Sequence, residues 1–221
     1  MHKNQTQQQP TVMALAIATA FSSAIHGVEA ARAALATVQQ KGREILPIII
    51  TGGHFSPQPL AIALADFGNK VAGLTVLGNL LEQFEPALTS EQLTDLIAKY
   101  TKQAVEDGTL RGETVEMFKK KVVDLGFAGA VKYFMGAPLS EVKVKIGEIT
   151  KLIDSVAKAD IAVSGVHAAT EAGAENHSTL TTAMHSIGDA WGRFYAISQV
   201  VAKVMDAAAV MKAQETVRQA A

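Results

Sequence analysis

Six histidines, His2, His26, His54, His167, His177 and His185, carry the widest chemical range in this chain of 221 residues. Imidazole serves as acid, base or metal ligand near neutral pH. Their spacing argues against such work. His167, His177 and His185 stand ten and eight residues apart, and on a helix turning about 100° per residue those separations do not converge on one face. No Glu-x-x-His pair occurs, so the signature of a four-helix di-iron site is missing. His-Glu-x-x-His, Gly-x-Ser-x-Gly and the P-loop are missing as well. Gly52-Gly53-His54 is a loop triplet of common residues. With no cysteine, thiol nucleophiles, disulfides and thiolate metal sites are excluded together. The expectation is a protein that is not an enzyme and uses neither metal nor cofactor.

Charge speaks against one further partner class. The net charge is −1, and the densest basic run, Lys119-Lys120-Lys121, sits beside Glu116 and Asp124. Phosphate backbones demand a clustered excess of Lys and Arg, so no nucleic acid is expected. The remaining candidates are apolar. Phe127, Val131, Tyr133, Phe134 and Met135 lie in the glycine-containing stretch Gly126–Leu139, whose single charge is Lys132. Such a stretch suits contact with a lipid membrane or a partner, although Phe127, Val131 and Phe134 also have the 4, 3 spacing of a stripe that completes a core. Trp191 and Phe194 are read as helix-packing anchors; the alternative for Trp191 is a membrane–water boundary or a subunit interface.

The elements that carry these residues follow from periodicity. Leu180, Met184, Ile187, Trp191, Phe194, Ser198, Val201, Met205 and Ala208 alternate steps of 4 and 3. The same rhythm runs through Val142, Ile146, Ile149, Ile153, Val156 and Asp160, and through Ala14, Ile17, Phe21, Ala24, Val28, Ala31, Leu35 and Val38. A 3.5-residue repeat keeps one stripe of a helix against a neighbour. Hydrophobic residues at 48% exclude a disordered chain, and aromatics at only 5% beside abundant alanine favour helix over sheet. The expected fold is all-α: an elongated bundle of about five to six helices, with long heptad-patterned N- and C-terminal helices and a short apolar tip. Residues 1–221 are expected to form a single helical domain.

Charged residues number 8 in residues 1–81, 24 in 82–160 and 9 in 161–221. The ends therefore suit a shared core, and about 82–160 a solvated excursion with its apolar tip at 126–139. Within this frame the first helix is expected from Thr11 to about Gly42, followed by Ile45–Ile50 as an extended connector or broken turn around Pro47. A second helix, Leu60 to Phe84, contains Gly68, Gly73 and Gly78, which suit close helix contact. Thr89-x-x-Gln92 is a capping box and Asp107-Gly108 a stop. Val115, Phe118, Val122 and Leu125 mark a fourth helix. Ser140 should cap a long helix from Glu141, and Gly173 and Asn176 should break the chain before a last helix of about 178–217. Residues 11–42 and 178–215 are expected to lie side by side.

The N-terminus allows two readings. Lys3, the apolar run Val12–Phe21 and Ser22-Ser23-Ala24 resemble a secretory signal over residues 11–24. An unbroken heptad after Pro10 out to Val38 instead reads as a mature amphipathic helix, which is favoured. Localisation is thus secreted or cytoplasmic. No transmembrane helix is expected, because Asp66 and Lys70 interrupt the best run.

A long charged helix, the apolar segment Leu125–Leu139, a return helix with Ile146-Gly147-Glu148-Ile149, and a final helix with Ala183-Met184-x-x-Ile187-x-x-Ala190-Trp191 together have a known counterpart. Over about residues 90–215 the chain resembles the α-helical pore-forming toxins of the haemolysin BL and cytolysin A type. The resemblance implies that Phe127, Val131, Tyr133, Phe134 and Met135 contact lipid. It also implies a homo-oligomeric ring of long helices, with or without a second protein component. This chain is shorter than those toxins, and its tip is too short for a bilayer-spanning hairpin. The alternative is a non-enzymatic structural or interaction subunit that assembles a filament, shell or coat through helix faces.

Overall fold

The computed structural model describes residues 8–51, 55–75, 89–159 and 166–220. Five helices account for nearly all of them: α1 (Gln8–Ile50), α2 (Gln58–Gly73), α3 (Ser90–Glu106), α4 (Gly112–Ala159) and α5 (Val166–Ala220). No strand occurs among the described residues, so the fold class is all-α. The chain divides into two compact units, the first comprising Met1–His26, Thr75–Ala137 and Gly192–Ala221, the second Gly27–Leu74 and Pro138–Trp191. These boundaries do not follow the change in charge density near residues 82 and 160.

In the second unit the α1 stripe is longer than its sequence suggested. Val28, Ala31, Leu35, Val38, Gly42, Ile45 and Ile49 are all buried, in steps of 3 and 4. The expected connector Ile45–Ile50 is therefore helix, with Pro47 inside it. Proline removes one backbone donor and crowds the preceding turn, but Pro47 is exposed and Ile45 and Ile49 bury on the opposite side. Thr51 closes the end by donating its hydroxyl to the Pro47 and Ile48 carbonyls. The helix after Leu60 stops at Gly73, short of Phe84; Leu77, Gly78 and Leu81 lie outside the described residues.

Three glycines report how α5 meets α1. A Cβ on Gly42 would stand 2.8 Å from Met184 Cε, one on Gly188 3.3 Å from Gln39 Nε2, and one on Gly173 2.6 Å from the Ile49 carbonyl oxygen. The partner numbers fall as the α5 numbers rise, so within this unit the two helices lie side by side and antiparallel over residues 39–49 and 173–188. Gly173 is thus a point of close approach, and α5 passes through Gly173 and Asn176 without the expected break. Gly68 of α2 faces Ile146 of α4 in ordinary contact at 3.7 Å, whereas Gly73 has open space. Trp191, 4% exposed, meets Phe67 of α2 edge-on at 5.5 Å.

In the first unit, Thr89 and Gln92 form the expected reciprocal capping box at the start of α3. Gly108 (φ 68°) turns the chain out of that helix, with the Thr109 and Leu110 amides both donating to the Ala104 carbonyl. Two buried hydroxyls need no partner from another helix, because Thr101 donates to the Ile97 carbonyl at 2.6 Å and Ser198 to that of Tyr195 at 2.7 Å. All nine residues of the α5 pattern from Leu180 to Ala208 are buried, Phe194 fully so. Side chains between Phe194 and Met205 bury on more than one face, including Ala196, Ile197, Val200 and Val204.

Candidate functional site

The chain reverses inside α4. Gly126 has φ 73° and ψ 174°, a region that only glycine occupies comfortably. A reversal there is required by the aromatic contacts. Phe118 and Phe134, eight residues before and after Gly126, meet edge-on with ring centres 5.4 Å apart. In an unbroken helix a rise of 1.5 Å per residue would separate them by about 24 Å. Gly129 lets the limbs close up, since a Cβ on it would stand 2.9 Å from that of Leu125. Tyr133 packs on Phe134 at 5.3 Å, and Lys121 Nζ lies 4.9 Å over the Tyr133 ring.

This geometry redistributes the five residues read as membrane or partner contacts. Phe127 (7% exposed), Val131 (0%) and Met135 (4%) are buried in the first unit, and Phe134 is half-buried against Phe118. Only Tyr133, at 49%, stands at the surface. An apolar tip made of 126–139 as a whole is therefore not what the fold presents. The reason is continuity: Phe127, Val131, Met135, Pro138, Val142, Ile149 and Ile153 form one buried stripe along the return limb. Helical backbone also continues through Pro138 and Ser140, so Ser140 is a helix-interior residue on the exposed side and not a cap.

The apolar surface lies instead on the approach to the corner. Val123 is 86% exposed, Met117 53% and Leu125 52%. Sequence reasoning passed over Val123 and Met117 because they fall off the Val115, Phe118, Val122 stripe, among charged neighbours. That offset was the available signal, since an apolar residue on a charged face has no core to enter. The surrounding cations are Lys119, paired with Glu116 at 2.9 Å, the exposed Lys120, and Lys121 over Tyr133.

Trp191 and Phe194 are buried in the second and first units respectively. Of the histidines, His26 and His185 are exposed and His177 is half-buried. His2 and His54 lie outside the described residues, as does the His167 side chain. No group of three or more His, Asp or Glu among the described residues is placed to hold a metal ion. Among the described residues two helical stretches, Gly112–Val156 and Gly173–Met211, are long and apolar enough to cross a membrane by length and composition. The first contains the Gly126 corner, and the second carries the buried α5 stripe.

No protein-family model matches this chain, and no curated protein or solved structure does.

Proposed function

We propose that this is a non-enzymatic helical protein that binds membrane surfaces through the corner of α4. The observation that carries this reading is the exposure of Val123 and Leu125 directly before Gly126, with the exposed Tyr133 on the return limb under Lys121. Full removal of a valine or leucine side chain from water contributes ~1.5–3 kcal/mol. Each lysine near an anionic surface adds about 1 kcal/mol, which Lys120 and Lys121 are placed to supply. The Tyr133 ring, apolar with a polar end, suits the interfacial layer. These terms support reversible attachment, and several copies on one membrane would strengthen it through avidity. The partners in this reading are the lipid surface and further copies of the chain, with or without a second protein component. The chain acts from the aqueous side, because its apolar stripes are already used in helix packing. The resemblance to helical pore-forming toxins agrees with it, with the corner taking the role of the tip.

Sedimentation with anionic vesicles, run beside dye release and light scattering, tests the proposal. The parent chain should bind, while Val123→Asp and Leu125→Glu should keep its melting temperature and lose the vesicles. Phe134→Glu should instead lower the melting temperature, since that side chain packs on Phe118. Large regular assemblies without vesicle binding would replace the membrane reading with the structural-subunit one. Dye release would extend it from attachment to pore formation.

A further inference from the structure

A cleft of about 250 Å³ opens in the second unit between α1 and α5. Two facing helical stripes line it, Gln39, Gly42, Arg43 and Leu46 from α1 and Thr181, Met184 and His185 from α5. The floor is apolar. A side chain at Gly42 would collide with Met184 Cε at 2.8 Å, so the glycine lets Met184 lie against α1, and the half-buried Leu46 extends that surface.

The polar groups around the floor are donors in search of an acceptor. Arg43 Nε donates to the Gln39 carbonyl at 3.3 Å, which leaves the two terminal nitrogens of the guanidinium uncommitted, and no carboxylate pairs with Arg43 among the described residues. Gln39 Nε2 reaches across to α5, as its approach to Gly188 shows. Thr181 Oγ1 is buried and has no hydrogen-bond partner among the described residues. His185 stands exposed at the rim. No acidic residue lines the cleft. The adjacent Glu44 is engaged elsewhere, by Lys41 Nζ at 2.8 Å and Gln40 Nε2 at 3.1 Å. The Lys41 hydrogen bond holds its carboxyl below the usual carboxylate range.

We infer that this cleft binds a small amphipathic anion, its carboxylate or phosphate head held by Arg43, Gln39 and His185 and its short apolar body laid over Met184 and Leu46. Guanidinium forks match both head groups. The site is independent of the α4 corner, so either assignment can fail alone.

The test is titration of the ¹⁵N-labelled full chain with octanoate, octyl phosphate, octanol and inorganic phosphate, each amphiphile below its micellar concentration, followed by NMR. Octanoate or octyl phosphate should bind saturably and shift amides of residues 39–46 and 181–188, and the tighter of the two assigns the head group. Octanol and inorganic phosphate should each bind at least about tenfold more weakly, a loss of about 1.4 kcal/mol. Arg43→Gln should cause a similar loss with an unchanged melting temperature, since Arg43 is exposed; Gln39→Leu is the second variant, expected to weaken binding without unfolding. Failure of both amphiphiles to saturate, octanol binding as tightly as octanoate, phosphate binding as tightly as either amphiphile, or unchanged affinity in Arg43→Gln would each overturn the inference.

Discussion

Trp191 and Gly126 show how much single side chains, or their absence, decide in this protein. Trp191 sits 4% exposed with its ring in edge-to-face contact with that of Phe67. Trp191→Ala should therefore cost ~3–5 kcal/mol, the penalty for emptying a large aromatic site. Urea denaturation of the two proteins measures it, and a loss below ~1 kcal/mol would remove Trp191 from the core. Two glycines of the same limb should respond to alanine with opposite signs. Gly126→Ala forces an L-residue into φ 73°, ψ 174° and should cost ~1–3 kcal/mol. Gly136 is exposed within the helix, and a methyl group added there would meet nothing within 4 Å, so Gly136→Ala should stabilise by up to ~1 kcal/mol. Paired thermal melts separate the two effects. At this scale the candidate site was only partly legible, because composition marked 126–139 as apolar but could not say which of its side chains a neighbouring helix would cover.

At the scale of elements, local rules succeeded where the chain has a single way to satisfy its backbone. Thr89 and Gln92 cap α3 reciprocally, and Asp107-Gly108 ends it. Thr89→Ala should cost ~1 kcal/mol by freeing the amide that its hydroxyl accepts from, read as a shift in urea midpoint. The same rules failed at Pro47, expected in a connector but placed inside α1. Buried Ile45 and Ile49 continue the stripe on either side of it, and packing along that stripe offsets a local penalty of ~3 kcal/mol. For Pro47, exposed on the outer face, relief of that penalty is testable: Pro47→Ala should raise stability by up to ~3 kcal/mol. A destabilised Pro47→Ala protein would show that the proline ring itself contributes to packing.

For the whole molecule, helix content determines where a protease can enter. Among the described residues every lysine and arginine except Arg111 lies within one of the five helices, and Arg111 is exposed in the turn before α4. Proteolysis needs locally unfolded backbone. Brief trypsin treatment should therefore cut the described chain first after Arg111, as mass spectrometry of the fragments would show. Each compact unit draws residues from both sides of that bond. The nicked protein should elute from gel filtration as the intact one does and separate only in denaturant. First cuts inside α4 or α5 would contradict the continuity of those helices.

The sequence by itself determined the all-α class, the α5 stripe from Leu180 to Ala208, the α3 cap and stop, and the absence of thiol chemistry. Each of these rests on residue type and spacing within one or two helical turns. Tertiary structure alone decided what each glycine and proline does. Gly126 is a corner through its own backbone angles, φ 73° and ψ 174°, whereas Gly173 is a close approach and Gly42 the floor of a cleft because atoms of another helix arrive beside them. It also decided that Phe127, Val131 and Met135 face inward while Val123 and Leu125 face water. That choice belongs to the packing of the return limb in its unit, which no local window of sequence contains.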